Sequence, residues 1–131
     1  MVKKYNNIKH ILNKKHMNAK QELLDKMKQI DEWLGGTKIV CASISLDPYS
    51  WYGDDEEEPK PHVLKQGYDD YDYMAFMSSL DFDYNNGYGS QELYGTVWFT
   101  NGIWMDRHEY DGSEYWSIHK YPAIPHELQA S

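Results

Sequence analysis

Two dipeptides late in the chain, Asn101–Gly102 and Asp111–Gly112, each separate segments in which apolar and polar residues alternate. Such pairs tolerate the positive φ angles of tight hairpin turns, so Leu93–Thr100, Ile103–Tyr110 and Ser113–Lys120 are predicted to form a three-stranded antiparallel meander. With two-residue turns, the first hairpin pairs Thr100 with Ile103, Trp98 with Met105 and Thr96 with Arg107. The second pairs Tyr110 with Ser113, His108 with Tyr115, Arg107 with Trp116 and Met105 with Ile118. This register puts Trp98, Ile103, Met105, Trp116 and Ile118 on a buried face. Val97, Phe99, Trp104, Asp106, His108, Tyr115, Ser117 and His119 fall on the other, which is aromatic yet polar and expected to be exposed.

Upstream, Ile8, Leu12, His16, Ala19, Leu23, Met27, Ile30 and Leu34 recur at steps of three or four, the spacing of one helical stripe. They predict a single helix from about residue 6 to residue 34, or two helices broken near Asn13–Asn18, where Asn18 and Gln21 form a capping-box pair. Gly35 and Gly36 end it. Thr37–Leu46 reads as a strand with Val40, Ala42, Ile44 and Leu46 on one side and Ile39 and Cys41 on the other. Residues 49–72, with acidic runs at Asp54–Glu58 and at Asp69, Asp70 and Asp72, read as a solvated connection. Tyr73–Tyr84 resumes alternation and predicts a strand burying Met74, Phe76, Leu80, Phe82 and Tyr84, followed by a turn at Asn85–Ser90. Pro122 and Pro125 end regular pairing, and Ile124 and Leu128 offer the tail a way to pack back.

The expected fold class is α+β, an N-terminal helical segment packed on an antiparallel β-meander of four or five strands. A chain of 131 residues fills one modest core, so residues 1–131 are read as a single domain with a helical arm at 1–36 and a β region at 37–128.

Charge is divided unevenly. Residues 1–40 carry nine lysines against Glu22, Asp25, Asp31 and Glu32, a formal +5, whereas residues 41–131 carry a formal −13, for a net −8. That balance argues against general binding to a phosphate backbone, even though arm lysines could combine with Tyr88, Trp98 and Trp104 as stacking platforms. Cys41, the only cysteine, rules out an intrachain disulfide and reads as a packed thiol in a reducing compartment. The N-terminus lacks the apolar segment of a signal peptide, and no run approaches the ~20 residues that span a bilayer, so a cytoplasmic location is expected.

No cofactor motif is present, and none is expected to bind. The most enzyme-like constellation is Asp106, His108 and His119. Asp106 and His108 share a strand face and His119 lies diagonally on the next strand, so a carboxylate could orient imidazoles for proton transfer in a small hydrolase or transferase. The same three groups, or Asp54, Glu56 and Glu58, could ligate a cation, although no established metal-binding spacing occurs. The more coherent expectation uses the acidity directly. Tyr52, Asp54, Glu56, Glu57, Glu58, Asp70 and Tyr71, with Trp104 as an aromatic anchor, would dock a basic protein surface such as the groove of a nucleic-acid-handling enzyme, by mimicry of its substrate. The exposed Tyr/Trp face could equally pair two copies of the chain.

Residues 93–128, including Trp104, Arg107, Tyr110, Asp111, Gly112, Glu114, Trp116, Pro122 and Pro125, resemble the endings of small, uncharacterised bacteriophage accessory proteins. The resemblance implies a small host-interaction or inhibitory protein acting in the host cytoplasm. It implies no active site.

Overall fold

A computed structural model describes residues 16–46, 60–85, 91–121, 126–128 and 130. In chain order the elements are β1 (His16–Asn18), α1 (Ala19–Leu34), β2 (Ile39–Leu46), β3 (His62–Leu64), α2 (Asp70–Ser79), β4 (Asp83–Asn85), β5 (Leu93–Phe99), β6 (Ile103–Tyr110) and β7 (Ser113–Lys120). Short 3-10 turns occupy Thr100–Gly102 and His126–Leu128. Five strands make one antiparallel sheet in the order β3-β2-β5-β6-β7, and β1 pairs with β4 in a separate ribbon. The architecture is the α+β arrangement the sequence implies, with helices packed on an antiparallel sheet.

Helix α1 begins at Ala19 because the Asn18 side chain accepts a hydrogen bond from the Gln21 backbone N–H at 2.9 Å. Only half of the capping box forms, since Gln21 Nε2 reaches forward to Asp25 at 2.9 Å. Asn18 Nδ2 instead donates to Asp81 and Asp83, fastening the helix start to the ribbon. A single helix across 6–34 is therefore excluded, because 16–18 are extended; the rest of its predicted first half lies outside the described residues. Gly35, at φ 70°, ends the helix as expected and donates its N–H to the Asp31 carbonyl. Ala19, Leu23 and Ile30 are buried, while Leu34 at the end of the stripe is exposed.

In β2 a bulge corrects the predicted faces. Ile39 opposes Phe99 and Cys41 opposes Trp98, so Val40 is the extra residue and the alternation reverses across it. Ile39 thereby joins Ala42 and Ile44 in the core, and Cys41 turns to the other face, half-buried rather than packed within.

The segments read as an acidic connection and a strand contain β3 and a second helix. Asp69 accepts from the Asp72 N–H at 2.8 Å and Asp72 accepts from the Asp69 N–H at 3.2 Å, a reciprocal capping box worth on the order of 1 kcal/mol. Tyr73, Phe76, Met77 and Leu80 then follow helical spacing, which Met74 and Phe82 obscured by fitting a period of two. Phe76, Met77 and Leu80 are buried, whereas Met74 is exposed. Of the predicted strand Tyr73–Tyr84 only Asp83 and Tyr84 lie in a strand, joined in β4 by Asn85.

The second hairpin has the predicted register throughout, from Tyr110 opposite Ser113 to Met105 opposite Ile118. The first is shifted by one residue. Val97 opposes Met105 and Trp98 opposes Trp104, around a three-residue loop rather than two. Because side chains alternate, this turns β5 over. Val97 and Phe99 are buried where exposure was expected, and Trp98 is 37% exposed where burial was expected.

Ile39, Ala42, Ile44, Leu64, Leu93, Val97, Phe99, Ile103, Met105 and Trp116 from the sheet form one cluster with Ala19, Leu23 and Ile30 of α1, Phe76 and Met77 of α2, and Leu80 and Tyr84. Both helices thus cover the same sheet face, where each fully buried large apolar side chain contributes about 1.5–3 kcal/mol. Leu128 is exposed and does not pack back, and Ile124, Pro122 and Pro125 lie outside the described residues. Among the described residues no helix is long and apolar enough to cross a membrane.

Candidate functional site

The other face of the sheet carries none of the described helices and is laid out by strand register. One row runs Cys41–Trp98–Trp104–His119, and the next Ser43–Thr96–Asp106–Ser117. Beyond them Ser45 is paired with Tyr94 on one side of the face and His108 with Tyr115 on the other. Trp104 and His119 are directly opposite each other and stack with ring centroids 4.3 Å apart; His108 and Tyr115 do so at 6.1 Å. Between these pairs sits Asp106. Its Oδ1 accepts from His119 Nε2 at 2.8 Å and from His108 Nε2 at 3.1 Å.

The structure therefore brings together the three residues the sequence singled out as most enzyme-like. A carboxylate only accepts, so each imidazole presents an Nε2–H to it and leaves Nδ1 as its other polar atom. The carboxylate fixes the tautomers and the aromatic rings restrict their tilt. Such a constellation can hold and relay a proton, and its three ligand atoms lie within 4.8 Å of one another, close enough to share a cation.

The residues expected to bind a partner are placed differently. Tyr52, Asp54, Glu56, Glu57 and Glu58 lie outside the described residues. Asp70 and Tyr71 are exposed on the first turn of α2, where Asp70 borders a pocket of about 260 Å³ shared with Met27, Lys38, Tyr68 and Tyr73. Trp104 is on the opposite face of the sheet from α2, so it shares no surface with Asp70 and Tyr71.

A second polar cluster lies beneath the sheet and was not anticipated. Arg107, the only arginine, points into the core with its side chain 1% exposed. Its Nη1 donates to Glu22 Oε2 of α1 at 2.9 Å; its Nη2 donates to the Tyr84 hydroxyl at 2.7 Å and to Glu114 Oε1 of β7 at 3.0 Å. The Tyr84 hydroxyl donates in turn to Glu22 Oε1. Glu114 also accepts the backbone N–H groups of Glu92 and Leu93, which anchors the start of β5. The guanidinium lies over the rings of Trp116 and Tyr84, at 5.0 and 5.5 Å from their centroids. One signal was legible: Arg107 opposite Trp116 on a buried face requires buried carboxylates.

Burial pulls the Arg107 pKa down, but the neighbouring Glu22 carboxylate and the hydrogen bonds to Glu22 and Glu114 more than offset this and hold it above its ordinary value. Burial pushes the Tyr84 phenol far above its ordinary 10.0; Arg107 opposes the shift, and the hydrogen bond to Glu22 adds to it. The folded-state pKa is raised, so this contribution to stability is complete below pH 10 and is lost as pH rises beyond it, where the unfolded chain releases a proton the folded chain retains. Urea midpoints are accordingly expected to fall above pH 10. Tyr84→Phe should flatten that fall, leaving the smaller slope due to Tyr68 and Tyr73, which burial shifts the same way. An unchanged slope in Tyr84→Phe would contradict this account.

Comparison with known proteins returns no matching family model, no matching curated protein and no matching solved structure.

Proposed function

We propose that this chain is a noncatalytic binding module that docks a basic protein, of the kind that handles nucleic acid, on the uncovered face of its sheet, and so inhibits or modulates it. The observation that carries the reading is the composition of that face. Tyr94, Trp98, Trp104 and Tyr115 stand among Ser43, Ser45, Thr96 and Ser117, with Asp106 as the one carboxylate and no lysine or arginine among the strand residues that the register places on this face. Tyr94, Trp98 and Tyr115 are each about 40% exposed. Rigid aromatics set among small hydroxyl residues, depleted of charge, are what the centre of a protein interface requires. The −13 carried by residues 41–131 would steer a partner with a positive rim. The resemblance of residues 93–128 to phage accessory proteins supports the same class, and carboxylates at Asp54–Glu58 supply the element of nucleic-acid mimicry.

The test uses the immobilised full chain and a lysate of its native host at low and high salt, beside Trp98→Ser/Tyr115→Ser and Glu56→Gln/Glu57→Gln/Glu58→Gln variants. A basic protein retained by the wild type should be released by salt and lost from the aromatic variant. Its on-rate to the acid-neutralised variant should fall roughly 10-fold. Equal retention by the wild type and the aromatic variant overturns the docking face. Self-association abolished by the aromatic substitutions would replace the heterocomplex with a homodimer.

A further inference from the structure

The Asp106–His108–His119 cluster has the composition of a transition-metal site as well as that of a hydrogen-bonded patch. Two imidazole nitrogens with one carboxylate oxygen suit a borderline divalent cation such as zinc and suit magnesium or calcium poorly, since those prefer an all-oxygen shell. Both Nε2 atoms converge on the same oxygen, Asp106 Oδ1, at 2.8 and 3.1 Å. Around zinc, bonds of about 2.0–2.2 Å at tetrahedral angles separate neighbouring ligand atoms by about 3.3 Å. Each nitrogen–oxygen pair would have to part by only a few tenths of an ångström to admit the ion. Each neutral imidazole would shift its one proton from Nε2 to Nδ1, freeing the Nε2 lone pair for the ion, and three protein ligands would leave a coordination position facing solvent.

Support for the ligands is already in place. Trp104 stacks on His119 and Tyr115 on His108, so both rings are oriented before any ion arrives. Access is open as well, with the His108, His119 and Asp106 side chains 46%, 32% and 31% exposed. All three sit on β6 and β7, whose ladder is continuous from Ile103 to Tyr110, so the scaffold is a rigid pair of strands and not a loop.

We infer that Asp106, His108 and His119 form a three-ligand site for a zinc-class divalent cation on the uncovered face of the sheet. The experiment is calorimetric titration of the full chain with zinc chloride, alongside His119→Ala, Asp106→Ala and His108→Ala, with His126→Ala as a control outside the cluster. The wild type should take up one equivalent saturably, each cluster variant should bind at least ~100-fold more weakly, and the control should be unchanged. Cobalt substitution gives a second readout, quenching Trp104 fluorescence in the wild type and losing that component in Trp104→Phe. Should His119→Ala fail to fold, judged by its thermal transition, the more exposed His108→Ala decides. No saturable uptake at millimolar zinc means the cluster is a hydrogen-bonded patch only and overturns the site. Uptake undiminished in the cluster variants places the ion elsewhere and overturns it equally. The docking face and the metal site can fail separately, since Trp98→Ser alone alters the docking face and leaves the three ligands and their stacking partners Trp104 and Tyr115 unsubstituted.

Discussion

Arg107→Ala is expected to lower the unfolding free energy by about 3–5 kcal/mol, because it strands the Glu22 and Glu114 carboxylates in the core without their cation. Set against the roughly 5–15 kcal/mol that holds a typical domain together, this approaches complete unfolding. Arg107→Lys should rescue little of the loss. An ammonium lacks the planar fork that reaches Glu22 Oε2, the Tyr84 hydroxyl and Glu114 Oε1 from two nitrogens at once. Urea denaturation followed by far-UV circular dichroism checks both variants. A loss of less than 1 kcal/mol in Arg107→Ala would show that the quartet contributes little. The interaction also spans α1, β4, β6 and β7, so the loss should appear as a cooperative shift of the whole transition and not as local fraying.

The second large effect concerns Gly95, at the centre of β5. A Cβ at this position would lie 2.6 Å from the Ser43 carbonyl oxygen and 2.9 Å from the Ile44 Cα, both backbone atoms of the neighbouring strand. Neither can swing aside as a side chain could. Gly95→Ala is therefore expected to cost about 3 kcal/mol, the upper end of over-packing penalties, and Gly95→Val more. The pairing it disturbs joins β2 to the C-terminal meander, so amide exchange in β2 should accelerate more than exchange in β7. Equal acceleration in the two strands, or a loss within 0.5 kcal/mol, would contradict the close approach.

The Asp106 cluster was legible in the sequence because it depends only on the β6–β7 register, and the Asp111–Gly112 turn fixes that register locally. The first hairpin was misread by one residue for a reason far away in the chain. Thr100 donates its N–H to the Lys38 carbonyl and its hydroxyl oxygen accepts the Lys38 N–H, so it leaves the ladder and joins the loop. Asn101 and Gly102 still take the positive φ angles their identities suggest, 68° and 74°. A tertiary partner changed the loop length, and with it the face on which Trp98 and Val97 stand. Helix α2 was missed because Met74, Phe76, Leu80 and Phe82 satisfy a period of two, while its start signal, Asp69 with Asp72, was read as generic surface acidity. The Arg107 quartet draws on α1, β4 and β7, and no local pattern announces which acids will meet.

The pairing of Arg107 with Glu22 bridges 85 positions of sequence. At translation rates of about 5–20 residues per second, Glu22 is synthesised roughly 4–17 s before its cation. A chain truncated before β6 lacks Arg107, the guanidinium that pairs with this carboxylate in the folded core. Closure of this polar part of the interior therefore waits for β6 and β7, which supply Arg107 and Glu114.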